Sequence, residues 1–102
     1  MRRVRLRVEG LVQGVGFRPH VWRLAARDGL TGFALNDQDG VTIEIQGDCD
    51  AFIRDLTGHA PPLARIDRVA VDALPLVSGE AGFALRDSVH AGPERTAIGP
   101  AC

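Results

Sequence analysis

Residues 3 to 9 alternate without interruption, with Val4, Leu6 and Val8 on one side and Arg3, Arg5, Arg7 and Glu9 on the other. Successive strand side chains point to opposite faces, so the pattern predicts a half-buried strand with one wet face. A sheet of that kind is covered on one face only, which calls for a second layer packed against the apolar side. The chain has 102 residues, enough for one two-layer core and too few for two.

The rest of the chain supplies that second layer. After the glycine-rich stretch from Gly10 to Gly16, Arg18-Pro19 opens a segment that stops at Asp28-Gly29, the Pro-early and Gly-late punctuation of a helix. Val21, Leu24 and Ala25 share one of its faces. Runs from Leu30 to Asn36 and from Val41 to Gln46 flank Asp37-Gln38-Asp39-Gly40, which is hairpin chemistry. Asp48 is placed to cap a second helix carrying Phe52, Ile53 and Leu56, and Gly58 with Pro61-Pro62 ends it. A strand from about Ile66 to Ala73 follows. Ile66 is out of phase with Val69 and Val71, which signals a bulge. A short strand near Phe83 to Arg86 closes the order βαββαβ plus one, the ferredoxin-like α+β open sandwich, with a mixed or antiparallel sheet and two helices on one face. Residues 1–87 are read as the domain and 88–102, which lack periodicity, as a tail or linker.

Composition narrows the function classes. A hydrophobic share of 45% with 25% charged residues is that of a soluble globular protein, and no apolar run approaches a membrane span. The basic start leads directly into the alternating residues and does not resemble a secretory signal, so the expected location is cytoplasmic. A formal net charge of −1 gives no basic excess to draw nucleic acid. Cys49 and Cys102 lack C-x-x-C spacing, so neither a disulfide framework nor an internal zinc site is expected, and Cys49 reads as a small buried residue.

The chemistry is concentrated in Gly10-Leu11-Val12-Gln13-Gly14-Val15-Gly16-Phe17-Arg18-Pro19, a tight connection from strand to helix. Its glycines let successive backbone N–H groups converge, and such a concavity fits a tetrahedral anion. The helix dipole adds about 0.3–1 kcal/mol for an anion at the first turn, and a guanidinium offers paired donors that match phosphate. Arg18 sits where both effects meet. Loop chemistry alone is also met by a glycine turn kept for packing, with Arg18 in solvent. The Lys-Ser/Thr of a nucleotide P-loop is absent, and the third glycine of a dinucleotide fingerprint is replaced.

V-Q-G-V-G-F-R at 12–18, L-T-G-F-A-L-N-D at 30–37 and D-G-V at 39–41 closely resemble the acylphosphatase signature, and the resemblance runs from about Val4 to Arg86. It implies a phosphate-binding loop of Val12, Gln13, Gly14, Val15, Gly16, Phe17 and Arg18. It also implies that Asn36 orients the attacking water, with hydrolysis of an acyl phosphate and neither metal nor cofactor. F-R-P-H-V-W-R-L-A at 17–25 and P-P-L-A-R-I-D-R-V at 61–69 resemble more closely the amino-terminal domain of the HypF family of hydrogenase-maturation carbamoyltransferases. That resemblance implies carbamoyl phosphate as substrate, inorganic phosphate as product and further domains of a larger maturation protein as partners. In that family zinc-binding segments beginning with paired cysteines follow the domain. Cys102 has no such pair here and reads as incidental.

Other groups are read as structural. His20, His59 and His90 lack a carboxylate and nucleophile in a recognisable order, and His20 reads as a helix-surface residue. Asp37, Asp39, Asp48 and Asp50 fall on turn and cap positions without a full ligand set. Arg3, Arg5 and Arg7 form a solvated sheet face. An RNA-binding sheet would need stacking aromatics on it, whereas Phe17, Trp22, Phe33, Phe52 and Phe83 are dispersed as core or loop anchors.

Overall fold

The structure, a computed structural model, describes residues 1–12, 16–36 and 40–86. Its elements are β1 (Arg2–Leu11), α1 (Phe17–Arg27), β2 (Thr31–Asn36), β3 (Gly40–Gly47), α2 (Asp50–Gly58), β4 (Arg65–Leu74) and β5 (Phe83–Arg86). They form one five-stranded sheet in the order β4-β1-β3-β2-β5, antiparallel except that β5 runs parallel to β2. The chain therefore has the ferredoxin-like α+β architecture expected from its pattern. The hairpin turn at 37–39, loop residues 13–15 and the tail at 88–102 lie outside the described residues.

The alternation of β1 sets the layers. Val4, Leu6 and Val8 pair with Ile45, Ile43 and Val41 of β3, and all six are buried on the face that α1 and α2 cover. Phe17, Val21, Leu24 and Ala25 of α1 and Phe52 and Leu56 of α2 complete the core. Complete burial of each larger apolar side chain contributes about 1.5–3 kcal/mol, so this face carries most of the driving force for folding. Trp22 departs from the core-or-loop-anchor reading, because it stays 46% exposed on the outer side of α1.

The bulge is present. Glu9 faces Arg68 and Gly10 faces Ile66, so Asp67 is the extra residue, and the insertion returns Ile66 to the helix side beside Val69. Gly10 has φ 136°, and a Cβ there would lie 2.1 Å from the Arg65 carbonyl oxygen, so the close approach of the two strands requires glycine. Val71 faces the same side but is 46% exposed, because β4 is an edge strand beyond the reach of the helices.

Two expectations need correction. Cys49, not Asp48, occupies the cap position of α2, and no side chain caps that helix. Its buried Sγ instead faces the carbonyl oxygens of Arg2, Gly47 and Ile45 at 3.6–3.8 Å. The arginine face is also not uniformly wet. Arg3 is only 4% exposed, because the chain from β4 to β5 crosses that face from one sheet edge to the other. There Glu80 accepts from Arg3 at 2.8 Å, and Gln46 exchanges hydrogen bonds with the Val77 main chain. Arg5, half-exposed, keeps the solvated character expected of the row.

Candidate active site

β1 delivers the chain into the glycine loop at one end of the sheet, and α1 starts at that same end. Val12 is fully buried and anchors the loop's entry, and Phe17, equally buried, anchors its exit. Between them Gly16 takes the cap position of α1 with φ 82° and ψ 11°, the left-handed conformation that glycine adopts without cost. No side chain among the described residues caps this helix, and its first turn has no acidic residue. The amides of Phe17 and Arg18 belong to the first turn, whose N–H groups have no acceptor within the helix, and Pro19 has no N–H. A Cβ built on Gly16 would meet no atom of the described residues within 4 Å. Gln13, Gly14 and Val15 fall outside the described residues.

Asn36 is the last residue of β2, and its partner Val41 is a core residue on the helix side. Cross-strand partners share a face, so Asn36 also points toward the helix layer. Its Oδ1 is the buried side-chain atom that lacks a hydrogen-bond partner among the described residues. An amide oxygen so placed costs stability, about 1–3 kcal/mol, unless something donates to it.

Arg18 and Asn36 lie at the same end of the sheet, next to the end of β5. The Arg18 Nη1 donates to the Arg86 carbonyl at 3.3 Å, and Arg86 sits opposite Leu35, the neighbour of Asn36. Three elements thus converge there: the first turn of α1 with a guanidinium, the end of β2 with an amide oxygen, and the end of β5. Arg86 was legible only as the close of a strand, since a main-chain acceptor leaves no signal in side-chain identity.

The remaining candidates sit elsewhere or are tied up. His20 is buried, not on the helix surface. Its ring centroid lies 5.9 Å from that of Phe17, and Nε2 donates to the Leu56 carbonyl at 3.4 Å. Burial draws its pKa below the ordinary value. Its spacing held the clue: His20 is three residues after Phe17 and four before Leu24, on the face those residues bury. Burial likewise pushes the Cys49 thiol up, which removes it as a nucleophile. Asp50 pairs with Arg2. Asp55 is held at about 2 by Arg54 and Arg27. Among the described residues no group of three or more His, Cys, Asp or Glu could hold a metal ion, and no helix is long and apolar enough to cross a membrane. His90 and Cys102 are outside the described residues.

Comparison with known proteins matches residues 4–85 to the acylphosphatase family. Carbamoyltransferase HypF of Rhodobacter capsulatus is 49% identical over 94 residues, which cover 92% of this chain and 13% of that protein. An acylphosphatase of Caldivirga maquilingensis is 41% identical over 89 residues, covering 82% of this chain and 93% of that protein. The crystal structure of full-length HypF in its phosphate- and nucleotide-bound form superposes with a TM-score of 0.80 at 34% identity, covering 85% of this chain and 12% of that one. The chain thus spans about an eighth of the carbamoyltransferases it matches and nearly the whole of a free acylphosphatase.

Proposed function

The chain belongs to the acylphosphatase family, and from that premise we propose that it hydrolyses an acyl phosphate, with carbamoyl phosphate as the preferred substrate, as one domain of a longer carbamoyltransferase. The observation that carries the reading is the placement of Arg18, the first turn of α1 and an Asn36 Oδ1 without a partner among the described residues at one end of the sheet.

The chemistry needs little beyond positioning. An acyl phosphate already carries a good leaving group, so the domain has to hold the phosphoryl oxygens, offset their charge and place water in line. The loop amides and Arg18 bind those oxygens and stabilise the transition state. Asn36 is not basic enough to take a proton. Its Oδ1 accepts a hydrogen bond from water and aims the oxygen lone pair at phosphorus. As the water oxygen bonds to phosphorus, the bond from phosphorus to the acyl oxygen breaks, the carboxylate or carbamate leaves, and the water proton passes to a phosphoryl oxygen.

Carbamoyl phosphate is favoured by the 49% identity to a carbamoyltransferase over 92% of this chain. A second reading, a free acylphosphatase of broad range, is favoured by the near-complete coverage of the Caldivirga relative. Phosphate release from carbamoyl phosphate and from an aryl acyl phosphate, measured on wild type, Arg18→Ala and Asn36→Ala, separates them. Preference for the carbamoyl compound is expected, with Arg18→Ala losing phosphate binding and turnover and Asn36→Ala losing turnover while keeping binding. Preference for the aryl compound supports the second reading. Equal activity in all three proteins means an anion-binding or docking module without catalysis.

A further inference from the structure

Arg18 is on the helix side of the sheet, yet one group that holds it is governed from the opposite side. Its Nη1 donates to the carbonyl of Arg86 at 3.3 Å. Arg86 ends β5, a four-residue edge strand that pairs only with β2 and whose last three residues are exposed. A strand so short and so little buried frays at its end unless a side chain pins it. The Arg86 side chain supplies the pin. Its guanidinium carbon lies 4.2 Å from the centroid of the Phe33 ring, on the sheet face away from the helices. Leu35 and Arg86 are cross-strand partners and Phe33 is two residues earlier on β2, so the register brings cation and ring onto one face.

Resting on the phosphate-binding reading of Arg18, we infer that the Phe33–Arg86 stack is a positioning device for the reaction. The ring fixes the Arg86 side chain, the fixed residue holds its carbonyl in place, and the carbonyl limits the positions open to the Arg18 guanidinium. Phe33 and Arg86 touch no substrate, and their effect reaches the phosphate only through Arg18. The ring stands on the same sheet face as Arg5, Arg7, Thr42 and Glu44, so the guanidinium that stacks on it needs no burial among the core side chains.

The test uses the full chain and inorganic phosphate as the probe. Phe33→Leu and Arg86→Met each weaken phosphate binding roughly two- to fivefold, the worth of an exposed cation–π contact. The double variant is no weaker than either single one. Arg86→Lys, which keeps a cation over the ring, binds nearly as wild type. The Arg18 Nε–H nuclear magnetic resonance signal shifts or broadens in Phe33→Leu and Arg86→Met without added ligand. Arg86 is exposed, so its variants keep the fold, and a melting curve verifies this for Phe33→Leu. Unchanged phosphate affinity in Phe33→Leu and Arg86→Met overturns the inference. So does a loss that Arg86→Lys fails to restore, or one that leaves the Arg18 signal unmoved. Failure of the phosphate reading looks different: Arg18→Ala would bind phosphate as tightly as wild type, whatever the stack does to the Arg18 signal.

Discussion

Where β1 begins, Arg3 is buried and shares its guanidinium among Glu44, Glu80 and Gln46; where β1 leaves into the glycine loop, Asn36 holds a buried amide oxygen that no described residue bonds. The first end satisfies its polar atoms internally. Arg3 holds the Glu80 carboxyl below its ordinary range, and the strap from β4 to β5 is fastened there by hydrogen bonds to Gln46. The second end holds the first-turn N–H groups of α1 and the Asn36 oxygen of β2, none of them given a side-chain partner among the described residues. One sheet thus separates its stability from its chemistry by about the length of a strand. Charged groups that pair with each other hold the fold at one end, and the proposed ligand site lies at the other.

That division is open to breaking by substitution. The largest effect is expected at the site: Arg18→Ala lowers acyl phosphate turnover by roughly 10²–10³-fold, the cost of one donor to a developing oxyanion, with a melting temperature near that of wild type. A large fall in stability instead would place Arg18 with the structural end. Next is Arg3→Ala, which leaves Glu44 and Glu80 without their partner. It costs about 2–3 kcal/mol, below the figure for a fully buried pair because both carboxylates retain some water contact. Denaturant unfolding measures this, and kcat below the transition should match wild type. Gly16→Ala is smaller, about 1–2 kcal/mol for a left-handed alanine, since no atom stands in the way of the new Cβ. It sharpens the comparison by reducing phosphate affinity as well, which Arg3→Ala does not.

The smallest effect lies between the helices. Arg54 and Arg27 hold the Asp55 carboxyl at about 2, below the value it has in the unfolded chain. A lowered folded-state pKa stabilises above the unfolded value, and that contribution is lost as pH falls from about 4 toward 2. Wild type should therefore exceed Asp55→Asn in stability at neutral pH by a margin that shrinks through this acid window. A margin independent of pH would remove the carboxylate charge from the account.

Local rules made much of this legible. Alternation at 3–9 placed β1, and the phase error at Ile66 marked the Asp67 bulge because both are properties of one strand. The face of Arg3 was readable, but not its burial, since that depends on Glu80, 77 residues away in the sequence. His20 failed for a similar reason: the helix it sits on is legible, whereas the carbonyl of Leu56 that accepts its hydrogen bond belongs to another helix. Asp48 has good capping chemistry, yet α2 begins one residue later than that requires, with Cys49 lodged among carbonyls instead. At the candidate site Arg18 and Asn36 were marked by motif. Their placement at one end of the sheet, with the Arg86 carbonyl on Arg18, follows from a parallel β2–β5 pairing that no residue type encodes.

Inorganic phosphate titrated into the isotope-labelled chain, followed by amide and side-chain nuclear magnetic resonance, bears on the central claim most directly. The account predicts saturable shifts at the Gly16, Phe17 and Arg18 amides and at the Asn36 carboxamide, with Arg3 and Glu80 unmoved. Shifts centred on Arg3 and Glu80, or none at Arg18 and Asn36 under saturating phosphate, would contradict it.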